Sequence, residues 1–356
     1  LKSAPAFFAP LLVMALGCSR TETAAGGDAE IVPPGRAVST APAPTSSSAL
    51  TLNPADAPPA TMKLIDPGQP PRRKLRYAWR TGQRETLVMD LRTSASTEEG
   101  SSRNPEMQLP PVHIVLAIDP QETSAAGDLT YAWHVTATAV RPDAQTPAAL
   151  TDGMRSEVAA IEHLSGTAVV TSCGISTRIS IDPEPWRAAE RLDGGRSAAD
   201  GSLADKAAPP SAGVTGQMVE QVRQTLRDVA APFPQEEVGP GARWQKLSQL
   251  ASRDAHVTQT EIFTLTQLTA MTGALDDVLS QTAPPQPLLS PGAQARIESM
   301  LASGDGKTQF ELTRLVPQTK FAGTTTMVVS SRSGDQEERR MTMTMHVEIV
   351  IAGSAP

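Results

Sequence analysis

Apolar and polar residues alternate with a period of two over much of the stretch from Arg73 to Ile351, the signature of strands with one face buried. In KLRYAWR, Leu75, Tyr77 and Trp79 share one face while Lys74, Arg76 and Arg80 take the other. After Thr81-Gly82-Gln83, ETLVMDLR continues the alternation through Leu87, Met89 and Leu91, so the two segments predict a hairpin. VHIVLAID and LTYAWHVTATAV predict a second strand pair across a loop carrying Gly127-Asp128. TAVVTSC and ISTRISI follow, with Cys173, Ile175, Ile179 and Ile181 in one phase. The C-terminal third predicts further strands in HVTQTEIFTLTQL, TQFELTRLV, KFAGTTTMVVSS and RMTMTMHVEIVI. The last alternates most regularly, with Met341, Met343, Met345, Val347, Ile349 and Ile351 opposite Thr342, Thr344, His346 and Glu348. In ARIESMLASGDGKTQFEL, Ile297, Met300 and Leu301 suit a short helix after Ser290-Pro291, while Gly304-Asp305-Gly306 suits a hairpin turn, the reading preferred.

Helical spacing interrupts this pattern twice. Met154, Val158, Ile161 and Leu164 recur at three- and four-residue intervals after a capping Thr151 or Asp152, with Gly166 as the stop. Met218, Val222, Leu226 and Val229 form a second stripe, in a helix starting near Thr215. Between them, Arg187 to Gly213 is polar and aperiodic and reads as a long loop. PFPQEEVGPGARW leads back into strand. The fold class expected is mainly β (α+β): a large curved antiparallel sheet, or two packed sheets, with two or three covering helices. Both halves run strand pairs, helix, strands, an order compatible with two similar halves.

The N-terminal stretch obeys neither period. In LKSAPAFFAPLLVMALGCSR, Lys2 precedes an apolar run from Ala4 to Leu16, of the length of a secretory signal and short of the roughly 20 residues that span a bilayer. Small Gly17 directly precedes Cys18. From Thr21 to Ala60 the chain is dominated by Ala, Pro, Ser, Thr and Gly, too poor in apolar residues to offset the entropy of ordering. A coil of roughly 40 residues spans on the order of 35 Å. The expected organisation is a signal peptide over residues 1–17, an anchoring cysteine and tether over 18–61, and a β-rich globular domain over 62–356.

Composition narrows the function classes. The net charge of −7, with Arg72-Arg73-Lys74 the sole basic cluster, argues against a nucleic-acid partner. No nucleophile elbow, zinc helix, phosphate loop or Cys-x-x-Cys occurs, so no catalytic residue, metal or cofactor is expected. His113, His134, His163, His256 and His346 are widely spaced, with His113 and His134 on consecutive strands. Glu236-Glu237 and Asp276-Asp277 read as surface charges, Cys173 as a buried inert thiol, and Trp244 as a core anchor. Methionine is flexible and polarizable, so a face of Met341, Met343, Met345 and Met327 is the candidate surface for an apolar ligand, beside the plainer reading of an ordinary core.

Met14-Ala15-Leu16-Gly17-Cys18 resembles a lipobox, the processing site of bacterial lipoproteins. The resemblance implies cleavage before Cys18, a diacylglycerol on its thiol and an acylated new amino terminus, which together anchor a protein durably. Ser19, where an aspartate would imply retention at the inner membrane, points to the outer membrane. The lipobox, the tether, Lys-Leu-Arg-Tyr entering Thr-Gly-Gln, and Gly239-Pro240-Gly241-Ala242-Arg243-Trp244 together resemble an uncharacterised family of bacterial lipoproteins over Arg73 to Ile351. The architecture is similar, more distantly, to periplasmic lipoprotein carriers, whose curved sheet encloses acyl chains. These likenesses imply an envelope lipoprotein that acts as a non-enzymatic binding module for a lipid or other apolar ligand. The alternative is a scaffold that contacts an envelope protein.

Overall fold

A computed structural model describes residues 60–142, 146, 148–159, 161–182, 212–251, 256–290, 293–332 and 338–354. The signal, nearly all of the tether and most of the Arg187–Gly213 loop lie outside the described residues. No helix among the described residues is long and apolar enough to cross a membrane.

The alternating segments are realised mostly as strand. In chain order these are β1 (Thr61–Asp66), β2 (Arg73–Lys74), β3 (Glu85–Glu99), β4 (Ser102–Arg103), β5 (Met107–Gln108), β6 (Val112–Thr123) and β7 (Leu129–Val140). Helix α1 (Ala148–Ala159), the hairpin β8 (Ser165–Val170) and β9 (Ser176–Asp182), and helix α2 (Ala212–Arg227) follow. The rest is β10 (Glu237–Val238), β11 (Arg243–Ala251), β12 (His256–Leu268), β13 (Thr272–Ala283), β14 (Gln286–Ser290), β15 (Ala293–Glu311), β16 (Gln318–Arg332) and β17 (Arg339–Ser354).

Fifteen of these strands form one antiparallel sheet, not two packed sheets, and the α+β framing is loose because only two helices are described. Its main path runs β1-β11-β12-β13-β15-β16-β17-β3-β6-β7-β8-β9, two meanders joined where β17 pairs with β3 from Met341↔Glu99 to Ser354↔Thr86. The sheet is open, with β1 and β9 at its edges. It is nonetheless curled, because one apolar cluster contains residues from β6 and β7, from β11 to β13, and from both helices. Leu150, Met154 and Val158 of α1, and Val219, Val222 and Leu226 of α2, are the helical stripes buried in it.

Three expectations are corrected. KLRYAWR is not a strand of a hairpin: only Arg73 and Lys74 pair, with β10. Its alternation is real, since Leu75 and Tyr77 are buried. Its backbone, however, donates to loops, Tyr77 N to Ser172 O at 2.8 Å and Ala78 N to Leu312 O at 2.7 Å. Gly304-Asp305-Gly306 is not a turn either, for β15 runs unbroken through it with Gly304 opposite Gly323 and Gly306 opposite Phe321. A side chain at Gly304 would fall 2.3 Å from the Phe321 ring, so the missing Cβ seats an aromatic from the next strand. The first helix ends at Ala159, not beside Gly166, which is already in β8.

The Gly-Pro-Gly stretch has a structural task. Gly239 N donates to Pro67 O and Gln69 N to Pro240 O, interlocking the turn before β11 with the one after β1. Gly68, at φ 74°, permits this approach, as a Cβ there would lie 2.5 Å from Ala242 N. Trp244 is fully buried as expected and donates its indole N–H to Pro232 O at 3.0 Å.

Candidate functional site

Strand register places inner-face residues in rows across the sheet, and the rows differ in character. At one end, Ala283, Met300, Met327 and Met343 stand side by side on β13, β15, β16 and β17. With Val257, Leu288, Ala295, Ile297, Val329 and Met345 they form a second apolar cluster, separate from the helix-backed one. Three of the four methionines expected to face a ligand, Met327, Met343 and Met345, are buried there, and Met341 is half-buried.

Between the clusters lies a waist. Its rows read Lys246, Glu261, Leu279, Gly304, Gly323, Val347 and Thr93, then Trp244, Phe263, Asp277, Gly306, Phe321, Ile349 and Leu91. On the β11–β13 side the waist is polar. Gln281 Nε2 donates to Gln259 Oε1 at 2.5 Å, Gln259 Nε2 to Glu261 Oε1 at 2.7 Å, and Lys246 Nζ lies 2.9 Å from Glu261 and 2.6 Å from Asp228. Asp228 follows α2 directly, and Gln224 of α2 donates to its carboxylate at 2.5 Å. A continuous polar chain thus ties the end of α2 to three strands.

Electrostatics within this chain follow from burial. Burial opposes the Lys246 ammonium, but Asp228 and Glu261 outweigh it and push the pKa up, so Lys246 stays charged. For Glu261, burial pushes the carboxyl up, with Lys246 opposing and Asp228 reinforcing. Asp277 is pushed up to about 7, chiefly by burial and then by Glu261, Asp276 and Asp305, with Lys246 opposing. Its Oδ1 is buried without a hydrogen-bond partner. Asp277 therefore departs from the surface charge expected of it, because the period of two turns Asp276 outward and Asp277 inward.

Towards β15–β17 the waist is apolar. Phe321, Val347, Ile349 and Ile351, with Leu279 at the β13 boundary, are half-buried on the inner face, next to Gly304 and Gly323, which carry no side chain, and Val347, Ile349 and Ile351 pack against the helix-backed cluster. Elsewhere, a polar cavity of about 360 Å³ at the rim is lined by Gln267, Thr272, Gln309, Phe310, Glu311 and Arg314, among others.

The histidines do not converge. His113 pairs with Asp90 at 2.8 Å and stands opposite Ala139, whereas His134 stands opposite Ala117. His346 bonds Thr324 at 2.9 Å on the outer face. Cys173 is free and buried, with Gln235 Nε2 3.2 Å from its sulfur, and burial pushes its thiol up. No metal-holding group of His, Cys, Asp or Glu occurs among the described residues. Sequence reasoning missed Lys246, Glu261 and Asp277, yet a signal existed. Glu261 is in phase with Val257, Phe263 and Leu265, and Lys246 with Trp244, so each is a charge in an apolar phase.

No protein-family model matches this chain, and no curated protein matches it. Among solved structures, an outer membrane channel from Pseudomonas putida F1 is 6% identical, with 78% of this chain and 98% of the channel covered at a TM-score of 0.15. OccK8 (OprE) from Pseudomonas aeruginosa is 7% identical, with 77% of this chain and 100% of OccK8 covered at a TM-score of 0.16. Scores this low carry no argument about fold or function.

Proposed function

We propose that this chain is an envelope lipoprotein, held at the outer membrane by acyl chains on Cys18, and that it acts as a non-enzymatic binding module for an apolar or lipid ligand. The anchor rests on the Leu16-Gly17-Cys18 sequence. The observation that carries the binding function is the half-buried strip of Leu279, Phe321, Val347, Ile349 and Ile351 on the inner face, of which Val347, Ile349 and Ile351 pack against the closed helix-backed cluster yet keep part of their surface in water. Apolar side chains on the inside of a curled sheet, left partly in water, gain from a ligand that covers them, at roughly 25 cal/mol per Å². The ligand surface is thereby moved along the sheet, from the methionines to the strip beside them.

The test is the full chain carrying Cys18→Ala, which removes the acylation site, purified and examined by native mass spectrometry with lipid analysis of its organic extract. Stoichiometric bound lipid that falls severalfold when Ile349→Asp is added supports the reading; a lipid-free protein in every preparation counts against it. A scaffolding role is favoured by one separate observation. Val278 and Leu301 are 58% and 63% exposed on the outer face, where a flat protein partner could cover them.

A further inference from the structure

We propose that the waist is a proton-controlled latch, in which Asp277, seated neutral against Gly306, lets β12, β13 and β15 stay closed, and opening of the waist releases its proton. The inference goes beyond the ligand-binding reading and stands whether or not the strip takes a ligand.

The geometry comes first. Asp277 stands opposite Gly306 in the β13–β15 ladder, and a Cβ on Gly306 would lie 2.6 Å from both carboxylate oxygens. The side chain therefore lies flat on bare backbone, in a niche that only glycine provides. Its row neighbours on β12 and β16 are Phe263 and Phe321, which offer no hydrogen bond. An ionised carboxylate with a buried, unpartnered oxygen is costly, whereas a neutral carboxylic acid is tolerated.

The surrounding charges point the same way. From β11 comes the Lys246 ammonium, already shared by Asp228 from the end of α2 and Glu261 from β12. On the outer face stand Asp276 of β13 and Asp305 and Lys307 of β15, with Lys307 opposite Asp276. Ionising Asp277 adds a third inner-face carboxylate to a group with one ammonium. The like charge of Glu261 then opposes closure.

The sign of the pH dependence follows from linkage. In the closed waist Asp277 is pushed up to about 7, while in an opened, hydrated waist it returns to the ordinary carboxylate value of 3.8. The open form thus gains on the closed form as pH rises between those values, by a limiting factor of about ten per pH unit, and the gain levels off above neutrality.

Hydrogen exchange on the full chain tests this, with rates corrected for the intrinsic pH dependence of amide exchange. Peptides spanning 256–283 and 293–311 should lose at least about tenfold in protection between roughly pH 5 and pH 7, then level off. Asp277→Asn should make that profile markedly shallower, leaving the part that belongs to Glu261, whose carboxyl burial also pushes up, while Glu122→Gln, an exposed carboxylate far from the waist, should leave it unchanged. A flat profile in the unmodified protein, or an Asp277→Asn profile as steep as the unmodified one, overturns the latch. Should Asp277→Asn fail to fold, the ¹³C shift of the Asp277 carboxyl in the unmodified protein decides. A midpoint near neutrality supports the latch, and one in the ordinary carboxylate range overturns it.

Discussion

The two apolar clusters of the sheet are built from different material and closed by different means. In the helix-backed cluster, aromatic rings form a column: Trp79 stacks on Tyr77 with centroids 4.1 Å apart, Tyr77 meets Phe233 at 5.1 Å, and Phe233 meets Phe310 at 4.9 Å. Those rings come from the segment before β3, the segment after α2, and β15, so the column joins parts remote in sequence. Among the described residues the second cluster contains no aromatic ring and no helix. It is made of Met, Val, Ile, Leu and Ala from β11 to β17, with Ala95 of β3 beside them. Large planar side chains fix one arrangement of distant elements, whereas Met and Ala fill the inner face of a sheet without demanding one. The contrast explains how so few aromatics, 3% of the chain, suffice. They are concentrated where the two meanders and the helices must meet.

Breaking the first cluster should have the largest effect. Trp244 is fully buried, stacks on Phe263 at 6.0 Å and donates to Pro232 O. Trp244→Ala removes a large ring at the junction of β11, β12 and the segment after α2, and should cost about 3–5 kcal/mol, read as a shift of the urea midpoint at unchanged slope. A loss below about 1 kcal/mol would mean that the column, not the β11 junction, organises this end.

The same comparison shows what was legible in the chain. Period-two alternation located β6, β7, β12, β16 and β17, because those strands have one wet and one dry face and the pattern reports burial. It failed where burial and pairing part company. Leu75 and Tyr77 point into the core as expected, but their backbone bonds go to the loops at Ser172 and Leu312, which local sequence cannot express. Gly304-Asp305-Gly306 carries the residues of a turn, and only the Phe321 ring on the next strand explains them as strand. Asp276-Asp277 looked like a solvated pair because its strand, LDDVLSQTA, has too few apolar residues to reveal its phase. The candidate site was therefore only half readable. The methionine face was visible, and the waist beside it was not.

The waist joins the two clusters, and its polar chain is the next place to test. Lys246→Met leaves Asp228 and Glu261 facing each other across an apolar stem. Removing one partner of a buried ion pair costs more than the pair contributes, and Asp228 is partly hydrated, so the expected loss is about 2–3 kcal/mol near neutral pH. Acid should reduce that loss, because burial pushes the Glu261 carboxyl up, and its protonation removes one of the two facing charges. Denaturation near pH 7 and near pH 5 checks both parts. A loss that is the same at both would show that Lys246 acts through its packed stem.

The smallest effect is expected where the second cluster is altered without changing its volume. Met343 and Met345 are 6% and 2% exposed and touch neighbours that are themselves closed. If the cluster is a core, Leu at both positions fills nearly the same space, and Met343→Leu with Met345→Leu should change stability by less than about 1.5 kcal/mol. The pair of substitutions also separates the methionines from the strip beside them. Bound lipid, measured as for the Cys18→Ala chain, should be unaltered by the leucines and lost with Ile349→Asp, since of these three positions only Ile349 belongs to the half-buried strip. Lipid lost with the leucines instead, at unchanged stability, would return the ligand to the methionine face and require that cluster to open when it binds.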